Sequence, residues 1–156
     1  MKNKTLLIIR GLPGSGKTTF AEKIKHKVQN LNEIAGIELL SCTHVEADMY
    51  FTDCEGNYKF DPTVLSAAHD WCKKAVYDAM SFKRTKLIIV SNTFTQIWEA
   101  EYYINIAIYY GYKVHVITMD NDFGSIHNVP QYTINKMKAR IETHEEFVHS
   151  VDTFLS

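Results

Sequence analysis

The octapeptide GLPGSGKT, Gly11 to Thr18, constrains the fold of this chain more than any other feature, because it satisfies G-x-x-x-x-G-K-[ST] in full. The apolar run Leu6 to Ile9 precedes it, and Phe20, Ile24 and Val28 follow at helical spacing with Ala21 beside them. A continuous apolar run is the pattern of a strand covered on both faces, as in a parallel sheet. The order is therefore strand, glycine-rich loop, helix. In that setting Gly14 and Gly16 supply backbone conformations that turn successive N–H groups inward. The start of the helix adds partial positive charge, so backbone dipoles hold a polyphosphate. Lys17 is expected to neutralise the β and γ phosphates, and Thr18 to offer its hydroxyl to Mg2+. The expected nucleotide contacts are Gly11, Leu12, Pro13, Gly14, Ser15, Gly16, Lys17, Thr18 and Thr19. The expected ligands are a nucleoside triphosphate, ATP or GTP, and Mg2+.

Further strands are read in GIELLSCTHVEAD, KLIIVSNT and GYKVHVITMD. Asp61 followed by Pro62 reads as an N-cap and first turn of a helix running to about Phe82. Its buried stripe is expected at Leu65, Ala68, Cys72, Ala75 and Ala79. Another helix starts after Thr95 and closes at Gly111, which suits a C-terminal cap. The tail from about Pro130 reads as one or two helices. Alternating strands and helices imply parallel crossovers. The expected fold is a three-layer α/β P-loop architecture with a mainly parallel sheet of four or five strands, one domain over residues 1–156.

Composition narrows the partners. A net charge of -1 gives no global basic field that draws the whole surface onto nucleic acid, although a local groove can still be basic. Three cysteines without a CxxC pair fit a reducing, cytoplasmic setting. Apolar runs fall far short of the roughly 20 residues of a bilayer span, and the N-terminus has no signal-peptide layout, so no membrane partner is expected.

A phosphate loop does not name the chemistry, because GTPases, motor ATPases and small kinases share it. Motor-type hydrolases usually carry an acidic residue after the third apolar strand. Here Leu87 to Val90 runs into Ser91 and Asn92, which weakens that reading. After the second strand, Asp48 falls at the C-terminal edge of the sheet, where ligands of open α/β folds collect. A carboxylate there can accept a proton from an attacking hydroxyl. Glu46 and Asp53 are close enough in sequence to compete for that role, and as a purely structural feature Asp48 would cap a loop.

The segments RGLPGSGKTT, ADMYF, GNYKFDPTVLSAAHDWC, IIVSNTFTQIWE, GYKV and HNVPQYTINKMKARIE together resemble the P-loop kinase domain of NEDD4-binding protein 2 and its relatives. That domain is close in plan to the phage polynucleotide 5′-hydroxyl kinase. The resemblance implies that Asp48 is the catalytic base, that Lys17 and Thr18 belong to the nucleotide site, and that Tyr58, Phe60, His69 and Trp71 border the acceptor side. Tyr58 and Phe60 are either a hydrophobic lid or a stacking platform. His69 is either a structural histidine or a substrate contact. It lies two residues from Trp71 on one helix, so the two cannot share a face, and one of them is expected in the core. Asn92 and Thr93 stand where relatives have an acidic residue. An amide at Asn92 can orient a water of the Mg2+ shell or a substrate oxygen but adds no charge. Relatives also carry a longer lid with an arginine. Here MDNDFGSI is short, and the expected basic position falls near Gly124. Charge would then come from Arg140, which matches the M-x-x-R-x-E of the family, from Lys136 or Lys138, or from a partner. Otherwise Arg140 is a solvated helix charge. The implied reaction is transfer of the γ-phosphoryl group to a hydroxyl, a single-stranded polynucleotide 5′ end first. The alternatives are a small nucleoside-like alcohol, or a nucleotide-binding module with little transfer because of the short lid.

Overall fold

The computed structural model describes residues 4–124 and 127–156. Four strands, β1 (Thr5–Gly11), β2 (Cys42–Val45), β3 (Leu87–Ser91) and β4 (Lys113–Met119), form one parallel sheet in the order β2-β3-β1-β4. Around it lie α1 (Lys17–Ala35), α2 (Leu65–Ser81), α3 (Ile97–Tyr110), α4 (Gln131–Arg140) and α5 (His144–Leu155). The expected three-layer α/β class is thus present with four strands. Because every pairing is parallel, all four strands end on one edge, at Gly11, Val45, Ser91 and Met119. That edge is where an open α/β sheet binds its ligands.

The two faces are unequally covered. Leu6, Ile8, Ile88 and Val90 pack against Ala68, Cys72 and Val76 of α2, Tyr103 and Ile104 of α3, and Phe147 and Val151 of α5. On the opposite face α1 is the one helix over the sheet among the described residues, with Ala21, Phe20 and Ile24 over Ile9 and Ile89, while Leu7 and Leu87 stay half-buried.

Local signals decide the element ends. The Asp61 carboxylate accepts from the Thr63 amide at 2.9 Å, as a cap should, but the first turn Pro62–Val64 is a 3-10 turn before α2 begins. The buried stripe of α2 is Ala68, Cys72, Val76, Ala79 and Met80. Leu65 is exposed and Ala75 only half-buried, because the inward face centres on Ala68, Cys72 and Val76. Neither His69 nor Trp71 is in the core, since Ala68 and Cys72 occupy the inward positions beside them. Gly111 caps α3 at φ 72°, and the tail forms two helices. In α5 a capping box joins Thr143 and Glu146 reciprocally.

One charged side chain is built into this frame. Arg10, the penultimate residue of β1, is fully buried. Its Nε donates to the Phe94 carbonyl at 3.0 Å, Nη1 to Thr118 Oγ1 at 3.4 Å and the Thr143 carbonyl at 3.3 Å, and Nη2 to the carbonyls of Thr95 at 3.3 Å and Glu142 at 2.8 Å. All five guanidinium donors are spent. The group also lies 4.2 Å from the centre of the Phe147 ring. Burial pulls its pKa down, and Glu142 and Glu99 oppose that pull. Arg10→Met is expected to destabilise the fold by about 3 kcal/mol or more, because the buried carbonyls lose their donors and cannot be removed with them. Denaturant melts check this. Arg10→Lys should recover only part of the loss, since an ammonium offers three donors and no fork.

Candidate functional site

The phosphate loop turns on glycines. Gly14 and Gly16 adopt φ 83° and 89°, a region that costs other residues strain. A Cβ on Gly16 would sit 3.2 Å from the Phe123 ring, whose backbone amide donates to the Gly14 carbonyl at 2.8 Å. Residues 120–124 therefore lie across the loop. Beside them opens a cavity of about 690 Å³, bordered by Pro13, Gly14, Gly16, Lys17, Thr18 and Thr19. The other three expected nucleotide contacts lie elsewhere. Gly11 and Ser15 are buried beneath the loop, where a Gly11 Cβ would meet Ser15 Oγ at 2.7 Å, and Leu12 borders an adjacent smaller cleft with Lys138.

Lys17 folds back, its Nζ donating to the Leu12 carbonyl at 2.9 Å. Burial lowers its pKa to about 8, against the pull of Glu46 and Asp48. Thr18 Oγ1 donates to Glu46 Oε2 at 2.8 Å, and Ser91 Oγ donates to the same oxygen at 2.8 Å. His44 reaches Ser91 Oγ through Nε2 at 2.6 Å and Glu22 Oε1 through Nδ1 at 2.7 Å. This chain of contacts brings together β2, β3 and α1. A hydroxyl backed by a carboxylate, with Asp48 on the same cavity, is a hard oxygen set of the kind Mg2+ takes. The residues present fit that ion.

On the other side, Asp48 Oδ1 accepts from the Tyr58 hydroxyl at 3.4 Å, and His127 Nε2 lies 3.9 Å from Asp48 Oδ2. Tyr58 and His127 stack with centroids 4.1 Å apart. Burial and the Asp48 charge push the Tyr58 phenol up to about 12, so it stays a donor. Phe60 and His69 line the cavity, with Phe60 against Phe51 at 5.0 Å. Partial desolvation at the cavity lowers the His69 pKa, against the pull of Glu99.

Other expected residues have different partners. Asn92 borders the cavity, but its Oδ1 accepts from the Ala47 amide at 2.9 Å, tying the exit of β2 to that of β3. Asp53 is exposed and accepts from the amides of Glu55 and Asn57 at 2.9 Å, capping its own turn outside the cavity. Arg140 does not border the cavity either. Its Nε donates to Thr95 Oγ1 at 3.0 Å and its Nη2 lies 3.8 Å from Glu99, so the side chain is held at the start of α3. Lys136 stands over the Tyr132 ring at 4.4 Å. No arginine thus borders the cavity among the described residues. Of the short lid stretch, Ser125 and Ile126 lie outside the described residues. The sequence reading missed His127 and Phe123, and weighed Glu46 only as a rival base. The HNVP segment and the two-residue spacing of Glu46 and Asp48 were the available signals.

A family model described as an AAA domain matches residues 6–127, and the chain belongs to this family. It is 33% identical over 109 residues to NEDD4-binding protein 2 of Homo sapiens, covering 70% of this chain and 5% of that protein. A chain of the Pnkp1/Rnl/Hen1 RNA repair complex is similar with TM-score 0.55 at 17% identity, over 99% of this chain and 45% of that one. The Mycobacterium tuberculosis APS kinase CysC is similar with TM-score 0.52 at 10% identity, over 92% and 100% of the two chains. This chain therefore spans a small part of NEDD4-binding protein 2 and less than half of the repair-complex chain. The architecture is that of a P-loop kinase-like domain.

The depressed Lys17 pKa has a measurable sign. Near pH 8 the free ammonium is about half deprotonated, and a polyphosphate beside it favours the charged form, so ATP binding there should take up about half a proton. Titration calorimetry in buffers of different ionisation enthalpy reads this uptake. The Lys17 share of this uptake should be lost about two units lower in pH, and uptake near pH 8 should fall in Lys17→Met.

Proposed function

We propose that this domain is an ATP- and Mg2+-dependent phosphotransferase that moves the γ-phosphoryl group to a hydroxyl, with Asp48 as the base. The observation that carries the reading is that Asp48 borders the same cavity as Lys17 and Thr18 at the sheet edge. Lys17 exchanges the Leu12 carbonyl for phosphate oxygens and offsets charge as transfer proceeds. Thr18 and Glu46 would hold Mg2+, which would supply positive charge to the polyphosphate. Asp48 accepts the proton of the acceptor hydroxyl while that oxygen bonds to the γ-phosphorus and the bond to the β-bridging oxygen breaks. Tyr58 and His127 hold the Asp48 carboxylate between them.

The finer reading, a single-stranded polynucleotide 5′-hydroxyl end as acceptor, is supported by the resemblance of the motifs and by Tyr58 and Phe60 as stacking surfaces. A second reading, a small hydroxyl compound, is favoured by the distribution of cations. The lysines bordering the cavity, Lys17 and Lys23, belong to the phosphate loop and α1, whereas Lys59, Lys136 and Arg140 do not border it.

Asp48→Asn should lower transfer by about a hundredfold or more while ATP affinity changes little. Rates at parent level in that variant would remove Asp48 as the base. For the acceptor, an oligonucleotide and its matching nucleoside are compared across a salt series. A polynucleotide acceptor loses rate with salt in proportion to the phosphates it contacts, and a nucleoside does not. Equal rates at every salt concentration would leave the small-molecule reading.

A further inference from the structure

The carboxylate nearest the Thr18 hydroxyl comes from the exit of β2. At the exit of β3 the chain has Ser91, and Ser91 is joined to that same carboxylate. We infer that Glu46, held by Ser91 and by the buried His44, is the residue that positions Mg2+ against Thr18 in this chain, and that the sheet supplies from β2 what the β3 end lacks. This rests on the phosphate-loop reading above.

Proton accounting supports the assignment. Thr18 has one hydroxyl proton, and giving it to Glu46 Oε2 leaves the oxygen lone pairs free for a cation on the cavity side. Ser91 likewise spends its single proton on Glu46, and the Nε2 of His44 lies 2.6 Å from the same Ser91 oxygen. On the far side of the ring, Nδ1 lies 2.7 Å from Glu22 Oε1. Partial burial pushes the Glu22 pKa up, but the His44 contact and the nearby Lys25 outweigh it and hold it below the usual carboxylate range. The His44 side chain is fully buried and Glu46 is 9% exposed. A buried carboxylate costs free energy unless its partners are fixed, and here each partner is fixed by the next. Glu46 alone of the chain Glu22, His44, Ser91 and Glu46 touches Thr18, so His44 is a positioning residue that acts through Ser91.

The inference separates metal-dependent from metal-independent binding. ATP affinity is measured by titration calorimetry in excess Mg2+ and in EDTA, alongside thermal melts without ligand. The natural chain should bind ATP more tightly with Mg2+. Glu46→Gln should lose about tenfold or more of that gain, read as the ratio of the two affinities. Ser91→Ala and His44→Gln should lose part of the gain. The double variant Glu46→Gln, Ser91→Asp places a carboxylate on β3 beside His44 and should restore it, which a merely structural role for these residues would not produce. Retention of the full Mg2+ gain in Glu46→Gln overturns the inference and leaves the phosphate-loop reading intact. Equal affinity for ATP with and without Mg2+ in the natural chain also overturns it. If the natural chain binds no ATP in either condition, both fail. A His44→Gln that melts lower yet keeps the gain assigns His44 to the frame alone and overturns its positioning role.

Discussion

The guanidinium of Arg10 is the constraint around which the site is assembled. It lies one residue before the phosphate loop, and its donors end on segments 84 to 133 residues away in sequence. A fully buried cation is costly, and here carbonyl dipoles, a ring face and two more distant carboxylates offset the cost. The turn after β3, the end of β4 and the junction of α4 and α5 are thereby referred to a common point. Thr95, one of the carbonyl partners, also receives Arg140, so two of the chain's cations fix the start of α3. Those arginines are spent on the frame, which is why the cavity relies on lysine and backbone for positive charge.

The balance of charge at the cavity follows. Lys17 is drawn towards neutrality by burial and held charged by Glu46 and Asp48, an arrangement most comfortable when further negative charge arrives. Glu46 and Asp48 divide their work through their neighbours. Hydroxyl groups and a histidine surround the first, whereas a phenol and a half-exposed histidine flank the second, open to the cavity.

What the sequence disclosed was local. The eight residues of the loop, the apolar runs of β1 and β3, the Asp61 cap and Gly111 each signal over a few positions, and each stands where it was expected. Long-range assignments did not follow from spacing. Nothing within a turn of Arg140 shows that Thr95, 45 residues back, takes its Nε, and nothing near Thr18 shows that Glu46, 28 residues on, takes its proton. Leu65 was drawn into a stripe by its apolar character, but the position of the neighbouring helix decides which face turns inward. Asp53, expected as a rival base from its closeness in sequence, instead serves the backbone of its own turn in DCEGN.

The position of α1, the one helix on its side of the sheet among the described residues, couples packing to ligand binding. Its first residue is Lys17, so the same helix that closes one hydrophobic layer also begins the polyphosphate cradle. Any ligand gripped at that end adds its binding free energy to the docking of the whole layer, by mass action. Fraying of α1 and release of nucleotide are then two views of one equilibrium. Amide exchange along residues 17–35 would slow, and resistance to unfolding would rise, as the concentration of a bound nucleotide increases.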